Sequence, residues 1–281
     1  MGNKKLIFVR GFVFFVFWIA VLYPLRSQTL YLPEDTVVFG RFLQYSERGD
    51  GGLVHTARFF MNTPYMGGTL EGDDEERLRV NLRELDCVTF VENALALHLM
   101  LQTDRQAFDN FCDILQKIRY RNGIIDGYIS RLHYFTEWIE DNLKKGLLSL
   151  PDIPICRNFN PGLSFMSTNC NSYPALKANP ELCSQMSEVE KRVNELSFCY
   201  IPKEQVRNAE AHIQDGDIIA ITTNIRGLDV AHVGFAVTIN GRICLLHASL
   251  GERKVVGHDI LHDYLARNRN HSGIIVARSV K

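Results

Sequence analysis

Cys87, in the stretch RELDCVTFVENALALHL, is the residue whose type and setting best suit it for chemistry. It follows Asp86 and a polar, turn-like segment. It opens an apolar run through Val88, Phe90, Val91, Leu95, Leu97 and Leu99. A thiol at a helix N-terminus meets the positive end of the helix dipole and unpaired backbone N–H groups, and both favour a thiolate. Two histidines follow far downstream on strand-like segments, His232 in LDVAHVGFAV and His247 in ICLLHASL. A cysteine on a helix followed by histidines on two consecutive strands can supply, in that order, a nucleophile, a proton carrier and an orienting partner. Singly, each residue has a plainer explanation, since most cysteines in apolar helices only pack. An imidazole in a buried strand without a partner is costly, however. The three positions together favour an enzyme.

The surrounding elements must position these groups. The run from Asp86 to Met100 predicts one helix, and Phe108 to Ile118 a second, amphipathic one. A turn at Asn122–Gly123 leads to a third helix that includes Leu132, Phe135, Trp138, Ile139 and Leu143, with Gly146 as its stop. Upstream, Pro64, Gly67 and Gly68 mark NTPYMGG as a loop. From about Pro151 to Asn208 the chain reads as irregular, with one helix signal in SEVEKRVNEL, where Ser187 and Glu190 match a capping box. The rest is strand-like: IQDGDIIAITT, a hairpin around the type I′ turn Asn240–Gly241, and SGIIVARSV. Helices first and antiparallel strands later predict an α+β fold. Counted out from the turn, Ile239 opposes Arg242. His247 then falls opposite Gly234, diagonal to His232 on one face. His247 therefore reads as the group that orients His232.

Charges nearly balance, with a net of -1 over 281 residues, so nothing supports nucleic-acid binding. Lys4, Lys5 and Arg10 precede and flank an apolar stretch, GFVFFVFWIAVLYPL. Residues 1–27 read as a secretory signal cleaved near Ser27–Gln28, with an uncleaved membrane anchor as the alternative. Either makes the chain an exported one, with membrane contact only through that segment. Residues 28–281 then form a single catalytic domain with a loop-rich insertion around 150–208. Seven cysteines leave at least one thiol free, and Cys87 fits that role. Cys156, Cys170, Cys183 and Cys199 cluster where disulfides could staple a segment with little core of its own, in no pairing the sequence decides. Cys112 and Cys244 read as buried thiols. No C-x-x-C or H-x-E pattern occurs, so neither a metal nor another cofactor is expected.

Taken together, LDCVTFVENAL, DGDIIAI, HVGFAV and LLHAS resemble the NlpC/p60 superfamily of cell-wall hydrolases. The resemblance implies a papain-like fold, the nucleophile helix packed on an antiparallel sheet, with Cys87, His232 and His247 catalytic. NTPYMGG and RNGIIDGYISRLHYFTEWI are further similar to its N-acetylmuramoyl-L-alanine amidase-like branch. That implies cleavage of the amide between N-acetylmuramic acid and L-Ala in peptidoglycan fragments, through a Cys thioester, in the periplasm or cell envelope. The chain departs from the common Asp-Cys-Ser-Gly pattern with Asp86-Cys87-Val88-Thr89, and Val88 cannot hold a substrate amine by a hydrogen bond. Tyr65, Asp86, Arg131, Tyr134 and Asp229, with His133 beside them, are candidates for substrate contact. Tyr65 is either pocket wall or core. Arg131 either takes a peptide carboxylate or pairs on a helix surface with Asp126 or Glu137. Asp229 either lines the site or ends a turn. Other functions open to the same residues are an endopeptidase cutting after D-Glu, a thiol acyltransferase, and a non-catalytic peptidoglycan-binding module.

Overall fold

A computed structural model describes residues 29–49, 51–72 and 75–280. Residues 1–27, expected from the sequence to be a signal or an anchor, lie outside these residues. Among the described residues no helix is long and apolar enough to cross a membrane.

Ten α-helices and eight strands are formed by the described residues. The helices are α1 (Pro33–Ser46), α2 (Leu53–Arg58), α3 (Cys87–Leu101), α4 (Phe108–Arg119), α5 (Phe135–Lys144), α6 (Phe165–Thr168), α7 (Pro174–Ala178), α8 (Pro180–Val193), α9 (Val206–Ala209) and α10 (Leu261–Arg267). The strands are β1 (Leu148–Ser149), β2 (Arg157–Phe159), β3 (Phe198–Pro202), β4 (Ile218–Thr223), β5 (Val230–Ile239), β6 (Arg242–Ser249), β7 (Lys254–Ile260) and β8 (His271–Ser279). They make one antiparallel sheet in the order β2-β3-β8-β4-β5-β6-β7, with β1 also paired to β8. The fold is α+β, as the sequence predicts.

Strand period decides which residues meet which layer. Ile218 and Ala220 of β4, Val233, Phe235 and Val237 of β5, and Cys244, Leu246 and Ala248 of β6 join the core beneath α3. Their neighbours Ile219, Ile221, Ala236, Ile243 and Leu245 join a second core with Leu261 and Leu265 of α10. The central strands are therefore covered on both sides, which is why DGDIIAI and HVGFAV read as continuous apolar runs. His232 and His247 share the parity of Ala236 and Leu245, so both belong to the α10 side.

Helix α3 is buried along nearly its whole length. Its one charged group, Glu92, pairs with Arg119 of α4 at 2.7 Å, where both side chains are out of solvent. Asp86 caps the helix: it accepts from Thr89 N at 2.8 Å, while its own N–H donates to Thr89 Oγ1 at 2.9 Å. Such reciprocal capping contributes about 1 kcal/mol and fixes the first turn, where Cys87 sits.

The stretch 150–208 differs from its sequence reading. It carries two strands of the main sheet, β2 and β3, and a small core of Leu163, Met166, Leu176, Met186, Val189 and Val193 that packs on Tyr128 and Tyr134. Disulfides Cys156–Cys199 and Cys170–Cys183 close it. Helix α8 starts at Pro180 with Asn179 as its cap, seven residues ahead of Ser187. The Asn-Pro pair is the stronger start, because proline at the first helical position has no N–H to leave unpaired.

Candidate active site

The β5–β6 hairpin delivers the two histidines. Asn240 and Gly241 both take positive φ, 51° and 74°, as a type I′ turn requires. The ladder opens Ile239↔Arg242 and runs regularly to Phe235↔Leu246. At its far end His232 Nε2 and His247 Nδ1 lie 2.6 Å apart, with the rings nearly perpendicular. Gly234 makes this approach feasible. A Cβ there would stand 2.7 Å from Leu246 O and 2.9 Å from His247 Cβ. Gly234→Ala should therefore push His247 away and lower turnover by about 100-fold, the order expected for a displacement near 1 Å. Steady-state kinetics beside circular dichroism checks this; unchanged kinetics would mean the strand yields without moving the ring.

Cys87 and His232 wall one open cleft with about 410 Å³ of free space. Val88, Leu132, His133, Phe135, Leu228, Asp229, Val230, Ala231 and Val233 complete it. The cleft is mostly apolar, so charges near it are poorly hydrated. Cys87 is half-buried and is one of three free cysteines among the described residues, with Cys112 and Cys244 buried elsewhere. The backbone N–H groups of Val233, Val88 and Cys87 favour its thiolate. Burial and the Asp86 carboxylate oppose them and win, pushing the thiol up to about 12. This corrects the expectation of a thiolate stabilised at rest by the helix dipole. Burial, with His247 and His271 nearby, pushes His232 down to about 3. Both shifts favour a neutral thiol and a neutral imidazole at rest.

The other candidates divide into rim, wall and scaffold. Tyr65 is half-buried on a loop stitched between the β6–β7 turn, through Tyr65 N to Arg253 O, and the residue before Asp86, through Met66 N to Leu85 O. Burial, Cys87 and Asp86 raise its hydroxyl to about 12, so the loop brings it beside the thiol. His133 walls the cleft and contacts Tyr128 O through Nε2 at 2.9 Å. Asp229 also walls it, but its Oδ2 accepts from Thr136 N and Thr136 Oγ1 at 2.8 and 2.7 Å, which anchors the start of α5. Asp86 is occupied by Thr89 as described. Arg131 is buried. It donates to Glu71 Oε1 at 2.7 Å and Leu70 O at 3.0 Å, with Glu76 at 3.5 Å. Its partners are thus neither Asp126 nor Glu137, because α5 starts only at Phe135 and Arg131 lies on the extended approach, facing the 70–76 loop. Tyr134 is 1% exposed and bonds Glu190 at 2.6 Å and Met166 N at 2.8 Å. It fastens α5 to α6 and α8.

Residues 55–274 match the family described as AmiA-like, N-acetylmuramoyl-L-alanine amidase-like. The chain belongs to this family. Among solved structures, an N-acetylmuramoyl-L-alanine amidase from Bacteroides uniformis is 38% identical, with a TM-score of 0.78 over 83% of this chain and 100% of the other. A protein from Bacteroides fragilis described as a candidate xylanase is 43% identical, with a TM-score of 0.74 over 79% of this chain and 99% of its own. Protein LPG0564 from Legionella pneumophila shares the fold at 23% identity, with a TM-score of 0.65 over 88% of this chain and 95% of its own. No curated protein matches the chain.

Two side chains beside the histidines escape the sequence reading of this family member. Tyr264 of α10 packs on both imidazoles, its centroid 5.9 Å from His232 and 5.2 Å from His247. Asp259 of β7 lies 3.4 Å from His247 Nε2. Both sit on elements, KVVGHDI and LHDYLAR, that are short and mixed in polarity. The available signal was the hairpin parity, which leaves one face of His247 open to whatever strand follows β6.

Proposed function

We propose that this chain is a cysteine amidase that cleaves the amide between N-acetylmuramic acid and L-Ala of peptidoglycan fragments. The observation that carries the reading is the 2.6 Å contact of His232 with His247 at a cleft that Cys87 walls. In the reaction, the Cys87 thiol passes its proton to His232 as sulfur attacks the lactyl carbonyl. Backbone N–H groups at the start of α3 face the developing oxyanion. The C–N bond then breaks, and His232 returns the proton to the departing L-Ala amine. The remaining thioester is hydrolysed by a water that His232 deprotonates, and the thiol is restored. Because the resting pair is neutral, proton transfer accompanies attack.

Two features favour this bond. Val88 is apolar and Thr89 occupies Oδ1 of Asp86, so the first turn of α3 lacks the side-chain hydroxyl that would complete a grip on a free peptide amine. An acyl side made by a sugar lactyl group needs none. Cleavage of a glycosidic bond would call for two carboxyl groups across the cleft, and among the described residues Asp229 alone places a carboxylate on its walls. The order of a nucleophile helix before antiparallel strands bearing both histidines supports placing the family in the NlpC/p60 superfamily, with a papain-like arrangement. Two disulfides support an exported protein, since such bonds persist in oxidising compartments.

The purified protein should release free N-acetylmuramic acid, or its anhydro form, and an intact peptide beginning with L-Ala. The bare peptide should be a poor substrate, because sugar contacts position the carbonyl. Mass spectrometry of products from a muramoyl-peptide and from the bare peptide decides. Cleavage of the bare peptide after D-Glu, with the muramoyl–L-Ala amide intact, would replace the amidase with an endopeptidase.

A further inference from the structure

Asp259 touches no part of the cleft, and its place is set by an irregularity in the sheet. β6 pairs with β7 as Ser249↔Lys254, Ala248↔Val255 and His247↔Val256, but then as Leu245↔Asp259. Continued, the first register would put His258 opposite Leu245. The extra residue in β7 is a bulge, a device that re-aims side chains. It leaves His258 exposed, where it meets Glu252 at 3.1 Å. It brings Asp259 to the face that carries the histidines, with 11% of its side chain exposed. There Asp259 also accepts from Arg267 Nη1 at 2.8 Å.

Direction is what this contact can decide. A neutral imidazole carries one N–H, and the bond between His232 Nε2 and His247 Nδ1 needs one proton, from either ring. If His232 Nε2 donates, its Nδ1 is bare and free to take the thiol proton. If His247 Nδ1 donates, the proton of His232 sits on Nδ1, and the ring cannot act as base there. A carboxylate paired with a guanidinium only accepts. It calls for N–H on His247 Nε2, which leaves Nδ1 bare and calls in turn for N–H on His232 Nε2. We propose that Asp259 is the positioning residue that sets the tautomers of both histidines, so that the hydrogen bonds from His232 through His247 to Asp259 all run in one direction and leave His232 Nδ1 bare to act as the base. The inference rests on the cysteine–histidine reading above.

The groups facing His247 are His232 on β5, Asp259 and His258 on β7, Glu252 in the turn, and Tyr264 and Arg267 on α10, with His271 of β8 stacked behind Tyr264. Burial holds His247 down, and Asp259 is the leading group that pulls it back up. With that carboxylate removed, the histidine pair protonates at lower pH, and the acid limb of kcat/KM moves to lower pH. A merely structural role would lower activity without moving the limb.

The test is Asp259→Asn in the whole protein. Its amide can offer N–H to His247 Nε2 and so permits both directions. Imidazole nitrogen NMR should show Nε2–H on both histidines in the unaltered protein and a mixture of tautomers in the variant. Turnover of the muramoyl-peptide should fall roughly 10- to 100-fold, the usual effect of losing an outer partner of a working histidine, and the acid limb should shift down. Arg267→Gln, at an exposed side chain, leaves the carboxylate in place: the tautomers should stay as they are and the acid limb should move slightly up, an opposite shift that reads the same contact where Asp259→Asn fails to fold. Unchanged tautomers and an unchanged acid limb in Asp259→Asn, or an acid limb that Arg267→Gln leaves in place, would overturn the proposal. The NMR readout needs no substrate, so a different scissile bond would overturn the amidase and leave this result standing.

Discussion

Cys87→Ala is expected to abolish hydrolysis, a loss of roughly 10⁴-fold or more, while the protein stays folded. Two features motivate the size. No other free thiol lies near the cleft among the described residues, since Cys112 and Cys244 are packed in the core. The fold should tolerate the change because Cys87 is the first residue of α3, where alanine is the best helix former and Asp86 and Thr89 still close the cap. Loss of one sulfur from a half-buried site costs about 1 kcal/mol. Product mass spectrometry reads the activity, and thermal unfolding reads the fold. An alanine variant with full activity and native unfolding would end the cysteine mechanism.

The two histidines should separate in the same assay. His232→Ala removes the group that both accepts and returns the proton, so turnover should fall to the level of Cys87→Ala. His247→Ala removes only the partner of His232 Nε2. A water can occupy part of that space, so a residual rate should persist, with a loss of roughly 10²- to 10⁴-fold. The double variant of both histidines should be no worse than His232→Ala, because groups acting as one unit are not additive. Equal, small losses from both single changes would rule out the assigned roles.

Periodicity and turn chemistry made the elements that carry the candidate site legible in the sequence. Asp86 before an apolar run placed the start of α3, and Asn240–Gly241 fixed a register that brought His247 to His232. Both are local signals with one strong physical preference each. What stayed hidden was decided at long range. The bulge in β7 is a difference between two registers, and no single residue announces it. Strands β2 and β3 are only three and five residues long, and they exist because β8 and a disulfide hold them. Arg131 and Tyr134 read as site residues because arginine and tyrosine often serve that way; their acidic partners Glu71 and Glu190 lie 60 and 56 residues away. The ionisation of Cys87 depended on a contest the sequence does not weigh. The helix dipole is always present at a helix start, but the depth of burial and the orientation of Asp86 are not.

The high proton affinity of Cys87 has a consequence for survival outside a reducing environment. The same conditions that keep Cys156–Cys199 and Cys170–Cys183 joined also threaten a working thiol. Exchange with disulfides and oxidation both proceed through the thiolate. A thiol that burial and Asp86 push above its ordinary range is ionised less at pH 7 than a free cysteine. Under the mechanism proposed above, the nucleophile would stay dormant toward stray oxidants until a substrate carbonyl and His232 draw off its proton together. One chain can thus carry permanent bridges and a lasting free sulfhydryl, with no second cysteine near the cleft to guard it.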